Sequence, residues 1–200
     1  NSIKNAKYPL LMIGAGANRK EARRAISEFI GAIGIPFCNT QMGKGVVDES
    51  SDYFLGTAAL SDKDYLHDYI KEADLIINIG HDVVEKPPFF MEHNGAKVIH
   101  INYKSAQVDQ VYFPQIEVVG DIALSVDALA DALGSKLDLD LRDFEKVRDN
   151  VKREIYRLDD EPSFPMRPQH IVSEIRNLMG YHDIIALDNG VYKIWFARNY

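Results

Sequence analysis

The sequence predicts an open parallel α/β sheet with helices on both faces, a Rossmann-like arrangement, followed by the opening of a second, truncated α/β domain. Three observations carry this. A short apolar run, Pro9 to Ile13, ends at Gly14-Ala15-Gly16-Ala17 and gives way to an amphipathic helical pattern. Apolar runs and helical patterns then alternate as far as Leu133, as they do where helices cross over a parallel sheet. Leu75-Ile76-Ile77-Asn78-Ile79 is almost without polar interruption, which suits a strand covered on both faces.

The elements follow in order. Strand, glycine turn and helix form the phosphate-facing corner of such sheets, where a helix start offers N–H groups to an anion. Arg19 stands where the dinucleotide fingerprint G-x-G-x-x-G has its third glycine, so a tight turn without a ligand explains the motif equally well. Ala22, Ala25, Ile26, Phe29, Ile30 and Ile33 share one helical face, and Gly34 reads as its C-terminal cap. Ile35–Asn39 reads as the second strand, followed by the glycine-broken loop Thr40–Gly45. Tyr53–Thr57 reads as leading into another loop, Asp64–Glu72 as a short helix, and Lys97–Asn102 and Gln115–Val119 as strands. Asp121 is placed to cap a helix running to Leu133. Loops 14–18, 40–45, 80–86 and 102–109 should line one edge, where ligands of such sheets bind. Leu137–Asp160 has the spacing of an amphipathic helix, with Leu141, Phe144, Val147, Val151, Ile155 and Leu158 on one face. These elements make a domain over residues 1–160. The prolines of Glu161–Met166 mark a linker, and residues 167–200 read as the start of the second domain: a helix opened by Pro168 with Ile171, Ile175 and Leu178 inward, a strand over Asp183–Leu187, and a turn at Asp188-Asn189-Gly190. A chain that begins without Met and stops within a helical pattern is expected to be a piece of a longer protein.

Composition narrows the function. Of 200 residues, 46% are hydrophobic and 26% charged, ordinary for a globular fold. A net charge of −7 with no basic tract argues against nucleic acid and anionic lipid, and no apolar run reaches the ~20 residues of a membrane span. The single cysteine, Cys38, lies in an apolar strand, reads as a core residue, and fits a cytoplasmic location. Lys44 lacks the remainder of a P-loop and reads as a loop lysine; His81-Asp82 reads as a turn with an exposed histidine; His93, His100 and His170 lack metal-ligand spacing; Tyr65 and Tyr69 read as packing residues.

A series of segments, in order, resembles the thiamine-diphosphate-dependent enzymes, most closely the acetolactate synthase large (catalytic) subunit. Leu11–Gly16 is similar to the first strand and glycine turn of the family's middle domain, a DHS-like nucleotide-binding fold. Pro36–Gly45 resembles its P-x-x-x-T-x-x-G-K-G segment, and Ala73–Glu85 its A-D-L-I-I-x-I-G-x-D-x-x-E. Ile99–Asn102 stands at I-H-I-D and Val118–Asp121 at V-x-G-D, while Arg167-Pro168-Gln169 and Asp188-Asn189-Gly190 resemble the opening of the thiamine-diphosphate domain. The resemblance covers nearly the whole chain.

It implies a carboligase that decarboxylates pyruvate and condenses it with a second 2-oxo acid, with thiamine diphosphate and Mg²⁺ as cofactors, as a homodimer or homotetramer. Asn189, Gly190, Val191 and Tyr192 fall where the family's V-G-Q-H touches thiamine diphosphate, Val191 and Tyr192 replacing the polar pair. The activating glutamate and the Mg²⁺-binding Gly-Asp-Gly belong to regions absent here, so the chain alone is expected not to turn over substrate, and no catalytic or metal residue is assigned within it. If the middle domain holds FAD or ADP, the residues implied are Gly14, Ala15 and Gly16 at the phosphate arm, Thr40, Gln41 and Met42 beside the flavin, and Gly56, Thr57, Gly80, His81, Asn102, Tyr103, Gly120 and Asp121 around the rest. Two departures weigh against FAD. Gly80-His81-Asp82-Val83-Val84-Glu85-Lys86 is closer to the catabolic, flavin-independent G-Y-D-P-V-E-Y than to G-A-R-F-D-D-R, and Asn102 replaces an aspartate. The alternatives are a thiamine-diphosphate-dependent decarboxylase of oxalyl-CoA or 2-oxo acid type, and a non-catalytic nucleotide-binding module.

Overall fold

The computed structural model describes residues 1–58, 66–82, 91–159 and 161–200. Six strands form one sheet: β1 (Pro9–Ile13), β2 (Phe37–Thr40), β3 (Phe54–Ala58), β4 (Leu75–Ile79), β5 (Lys97–Asn102) and β6 (Ile116–Val119). Their spatial order is β3-β2-β1-β4-β5-β6 and every pairing is parallel, the doubly wound arrangement expected from the alternation. All five residues of β1 and of β4 are buried, so the two most continuous apolar runs form the centre of the sheet. The strand order reverses between them, which places the loops after β1 and β4 side by side.

Alternate residues of each strand feed two cores. On one face Leu11, Ile13, Ile77, Ile79, Ile99 and Ile101 pack against α2 (Lys20–Ile33) and α4 (Ile122–Leu133). On the other, Leu10, Met12, Cys38, Ile76 and Val98 pack against α3 (His67–Glu72) and α5 (Arg142–Tyr156). A short α1 (Ser2–Asn5) adds Ile3 to the first core. Cys38 is fully enclosed in the second core, as a small apolar side chain would be, and Tyr69 packs edge-on against Phe144 there. The buried residues of α2 are the six that its spacing marks, and each large one contributes about 1.5–3 kcal/mol by leaving water. Gly34 ends α2 at φ 72°, its N–H donating to Ile30 O at 2.8 Å. Asp121 caps α4, its Oδ1 accepting from Leu124 N–H at 3.0 Å.

Several elements differ from the sequence expectations. Within the stretch read as leading into a loop, Phe54–Ala58 is edge strand β3, and the loop expected after it lies outside the described residues. Gly56 permits that strand, since its φ is +144° and a Cβ there would lie 2.8 Å from Leu66 Cδ2. β2 begins at Phe37 rather than Ile35. The helix read over Leu137–Asp160 occupies Arg142–Tyr156, because Leu137 is held in the preceding connection by its N–H to Ile33 O at 2.9 Å; Asp160 lies outside the described residues. The short helix is described from His67, and the expectations for Asp64 and Tyr65 fall outside the described residues.

Beyond Glu161, α6 (Pro168–Leu178) begins with its proline in the first turn, and α7 (Tyr192–Asn199) ends near Tyr200. The expected inward face of α6 is covered only in part, at the half-buried Ile175. Val172 is the buried residue, whereas Ile171 and Leu178 are 40% and 83% exposed. Asp183–Leu187 is not a strand: among the described residues no neighbouring strand completes a ladder with it, and Ile184 is 88% exposed.

Candidate functional site

Seven of the implied residues meet at the carboxyl ends of β1, β4 and β5. After β1 the chain makes a 3₁₀ turn, Ala15–Ala17, so α2 starts later than a phosphate-binding turn would place it. Gly14 N–H donates to Ile79 O and Gly16 N–H to Gly80 O, both at 2.8 Å, while Ala17 and Asn18 N–H bond back to Gly14 and Ala15. The two glycine turns lie against each other. A Cβ on Gly16 would sit 3.0 Å from Gly80 Cα, and one on Gly80, whose φ is +70°, would sit 2.4 Å from Ala17 N. Asn102 closes the arrangement, its Nδ2 donating to His81 O at 2.6 Å and its Oδ1 accepting from Tyr103 N–H at 2.8 Å. The Arg19 guanidinium lies 4.5 Å from the centre of the Tyr103 ring.

A dinucleotide's diphosphate at such a corner is held by main-chain N–H groups pointing outward. Here those of Gly14 and Gly16 point into the neighbouring strand end, so the turn does not fit the diphosphate of FAD. The glycines are needed because two backbones touch.

At the end of β2, Thr40 Oγ1 accepts from Gly43 N–H at 3.1 Å, and Gly43 packs so closely on β1 that a Cβ would lie 2.1 Å from Ile13 O. Met42 is 62% exposed. Gln41 is half-buried, and its Nε2 is sealed from solvent without a hydrogen-bond partner among the described residues. Lys44 pairs with Glu49, whose other oxygen accepts from Asn39 Nδ2 at 2.9 Å, so it is a structural loop lysine. Gly56 and Thr57 sit within β3 rather than on an edge loop, and line a cleft of about 290 Å³ between β3, α5 and the α6–α7 segment. Gly120 N–H donates to Asn102 O at 2.9 Å, and Asp121 is occupied as the α4 cap.

In the C-terminal segment Asn189 Oδ1 accepts from Lys193 Nζ at 2.9 Å. A Cβ on Gly190 would lie 2.4 Å from the Tyr192 ring, while Val191 and Tyr192 are 74% and 42% exposed at the start of α7. Two exposed side chains beside a glycine backbone are able to meet a cofactor.

One polar cluster gave no signal in the sequence. Asn78 on β4 and His100 on β5, neighbours in register, converge on Tyr112, which comes from a loop. His100 Nε2 lies 3.0 Å from Lys104 O, which can only accept, so that nitrogen donates. Nδ1 then accepts from the Tyr112 hydroxyl at 2.9 Å, and Asn78 Nδ2 donates to the same oxygen at 3.1 Å. His81 is not an exposed turn histidine. Its ring lies 4.5 Å from that of Tyr112, and burial, reinforced by His100, lowers its pKa to about 4. Burial likewise raises the Tyr112 phenol above its ordinary value. No group of metal-ligating side chains occurs among the described residues.

A six-stranded parallel sheet in this order, with apposed glycine turns at the switch point, defines a Rossmann-like domain. Residues 1–129 match the thiamine pyrophosphate enzyme central domain, and the chain belongs to that family. It is 28% identical over 203 residues to the acetolactate synthase of Bacillus subtilis (strain 168), covering 98% of this chain and 35% of the relative. It is 29% identical over 206 residues to the catabolic acetolactate synthase of Raoultella terrigena, covering 98% and 36%. The 3D-(3,5/4)-trihydroxycyclohexane-1,2-dione hydrolase of Geobacillus thermodenitrificans (strain NG80-2) is 28% identical over 157 residues, 78% of this chain and 24% of that protein. The chain thus spans about a third of the length of these two synthases. Among the described residues no helix is long and apolar enough to cross a membrane.

Proposed function

We propose that this chain is the central domain, with the opening of the cofactor domain, of a thiamine-diphosphate-dependent carboligase of acetolactate synthase type. The observation that carries the reading is that its likeness to acetolactate synthases covers 98% of the chain, and so extends past the central domain into the Asn189–Tyr192 segment. Pyruvate is the donor substrate, a second 2-oxo acid the acceptor, and the whole protein works as a homodimer or homotetramer in the cytoplasm.

Thiamine diphosphate, when bound, supplies the electron sink for decarboxylation. Asn189, Gly190, Val191 and Tyr192 are the residues of this chain that would contact it, and Mg²⁺ would be held by residues outside the chain. The Lys193 ammonium orients the Asn189 amide through their hydrogen bond. The sheet edge around Gly14, Gly80 and Gly120 serves as a support for the cofactor domain, because the N–H groups of Gly14, Gly16, Gly80 and Gly120 are already engaged.

The test is product analysis. The longer protein carrying this chain, given thiamine diphosphate, Mg²⁺ and pyruvate, should release CO₂ and acetolactate. Aldehyde and CO₂ without acetolactate would move the assignment to a decarboxylase.

A further inference from the structure

The cluster of Asn78, His100 and Tyr112 takes no part in the proposed reaction, yet its hydrogen bonds admit two arrangements that differ by one proton. All three side chains are buried. Asn78 and His100 stand on neighbouring strands in register, and Tyr112 reaches them from the loop after β5.

While the imidazole is neutral, the chemistry of the donors and acceptors allows a single assignment. Lys104 O, 3.0 Å from His100 Nε2, can only accept, so Nε2 carries the hydrogen. Nδ1 must then accept, and the Tyr112 hydroxyl 2.9 Å away donates to it. The phenol oxygen in turn accepts from Asn78 Nδ2 at 3.1 Å. This leaves Asn78 Oδ1 sealed from solvent without a hydrogen-bond partner among the described residues. A buried acceptor left over in this way calls for an explanation.

A proton on His100 inverts these roles. Nδ1 becomes a donor, and the Tyr112 oxygen must accept from it. Burial raises the Tyr112 phenol above its ordinary value, so the hydroxyl keeps its hydrogen and must direct it elsewhere. Its other neighbour is the Asn78 amide, which can receive a donor only through Oδ1. A half-turn of the amide exchanges Oδ1 and Nδ2 with almost no change of shape. Each arrangement then contains three hydrogen bonds, so protonation does not release the loop. The charged surroundings of His100 are mixed. Glu117 is its register neighbour on β6 and accepts from Ala106 N–H at 2.7 Å, which favours a cation. His81 faces it from the turn after β4, with ring centres 6.4 Å apart, while Asp82 and Asp109 favour positive charge at that turn. Lys104 gives its carbonyl and is itself exposed.

We propose that Asn78, Tyr112 and His100 form a one-proton switch, in which uptake of a proton by His100 reverses the hydrogen-bond chain and turns the Asn78 amide over while the loop stays latched to the sheet. The switch makes the charge beneath the carboxyl ends of β4 and β5, beside His81, depend on pH. It requires nothing of the carboligase reading and holds or fails without it.

The experiment is an NMR titration of the 200-residue chain from about pH 8 to about pH 5, the range in which histidines change charge, following the ring nitrogens of His81 and His100 and the side-chain amide of Asn78. At the alkaline end His100 should be the Nε2–H tautomer, and the Asn78 NH₂ protons should show cross-peaks to the Tyr112 ring. As His100 ionises, those cross-peaks should fade with the same midpoint, while the main-chain signals of residues 104–112 remain those of a folded loop. In Tyr112→Phe, which lacks the hydroxyl, the Asn78 amide should keep one orientation throughout the titration. Four results would overturn the proposal: an Nδ1–H tautomer at the alkaline end, Asn78 cross-peaks unchanged through the His100 midpoint, an amide that turns in step with His81 instead, or unfolding of the chain before His100 takes its proton. All four are read on the parent chain, so they decide the matter even where Tyr112→Phe does not fold.

Discussion

Replacing Gly80 with alanine separates a glycine that the fold needs from one that it tolerates. Gly80 has a φ of +70°, and its added Cβ would lie 2.4 Å from Ala17 N and 2.8 Å from Gly16 C, both main-chain atoms. The left-handed conformation alone costs an L-residue about 1–2 kcal/mol. Relieving the contact means parting the β1 and β4 turns, which breaks the Gly16 N–H to Gly80 O bond at 2.8 Å and exposes or orphans two polar groups for about 1–3 kcal/mol more. The sum, about 2–5 kcal/mol, is a large share of the ~5–15 kcal/mol that stabilises a typical domain. Two other glycines calibrate the reasoning. Gly45 has φ +76° but open space around its Cβ position, so alanine there should cost about 1–2 kcal/mol. Gly120 has open space and no positive φ, so alanine should be within about 0.5 kcal/mol of the parent. The assay is urea unfolding followed by circular dichroism, in which a slope of about 2 kcal/mol/M turns the Gly80 loss into a midpoint shift of about 1–2.5 M. A Gly80→Ala midpoint equal to that of Gly120→Ala would refute the mutual closure of the two turns.

Three further outcomes are expected. The pKa of His81 is about 4 in the folded chain against about 6.5 in the unfolded chain, so the unfolded state binds the extra proton between those values; stability should be full above pH 6.5 and fall by of order 2 kcal/mol on acidification towards pH 4, and urea midpoints should show that decline lessened in His81→Gln. Tyr112→Phe removes the hydroxyl shared by His100 and Asn78 and should cost about 2–4 kcal/mol in the same unfolding assay, whereas a loss under 1 kcal/mol would mean that the shared hydroxyl contributes little. Asp121→Ala removes the cap that accepts Leu124 N–H and should lower the unfolding midpoint by about 1 kcal/mol of stability, restored in Asp121→Asn.

What the sequence revealed about the fold was what periodicity encodes. The apolar runs of β1 and β4, the buried face of α2, the Gly34 and Asp121 caps and Pro168 at the start of α6 are local patterns, and each appears in the structure where its pattern lies. What escaped depends on partners distant in sequence. β3 exists because β2 offers it a ladder and Gly56 lets Leu66 approach, neither of which shows in five residues read alone. Asp183–Leu187 has strand composition but pairs with no strand among the described residues, and the face of α6 that has the right spacing is covered only at Ile175. At the site, the sequence marked the glycines but not what they approach. The closure of Gly14 and Gly16 on Ile79 and Gly80, and the convergence of Asn78, His100 and Tyr112, are tertiary facts. Gln41 was marked by resemblance; its lack of a hydrogen-bond partner among the described residues is visible only in three dimensions.

The most direct measurement of the central claim is the rate of acetolactate formation by the longer protein, stripped of flavin and supplied with thiamine diphosphate, Mg²⁺ and pyruvate, with and without added FAD. Glycine turns closed on each other and a sheet edge acting as support predict the same rate in both, with no flavin bound after gel filtration. Acetolactate appearing only after FAD is added, with flavin retained by the protein, would contradict the account and require the β1 and β4 turns to open around a dinucleotide.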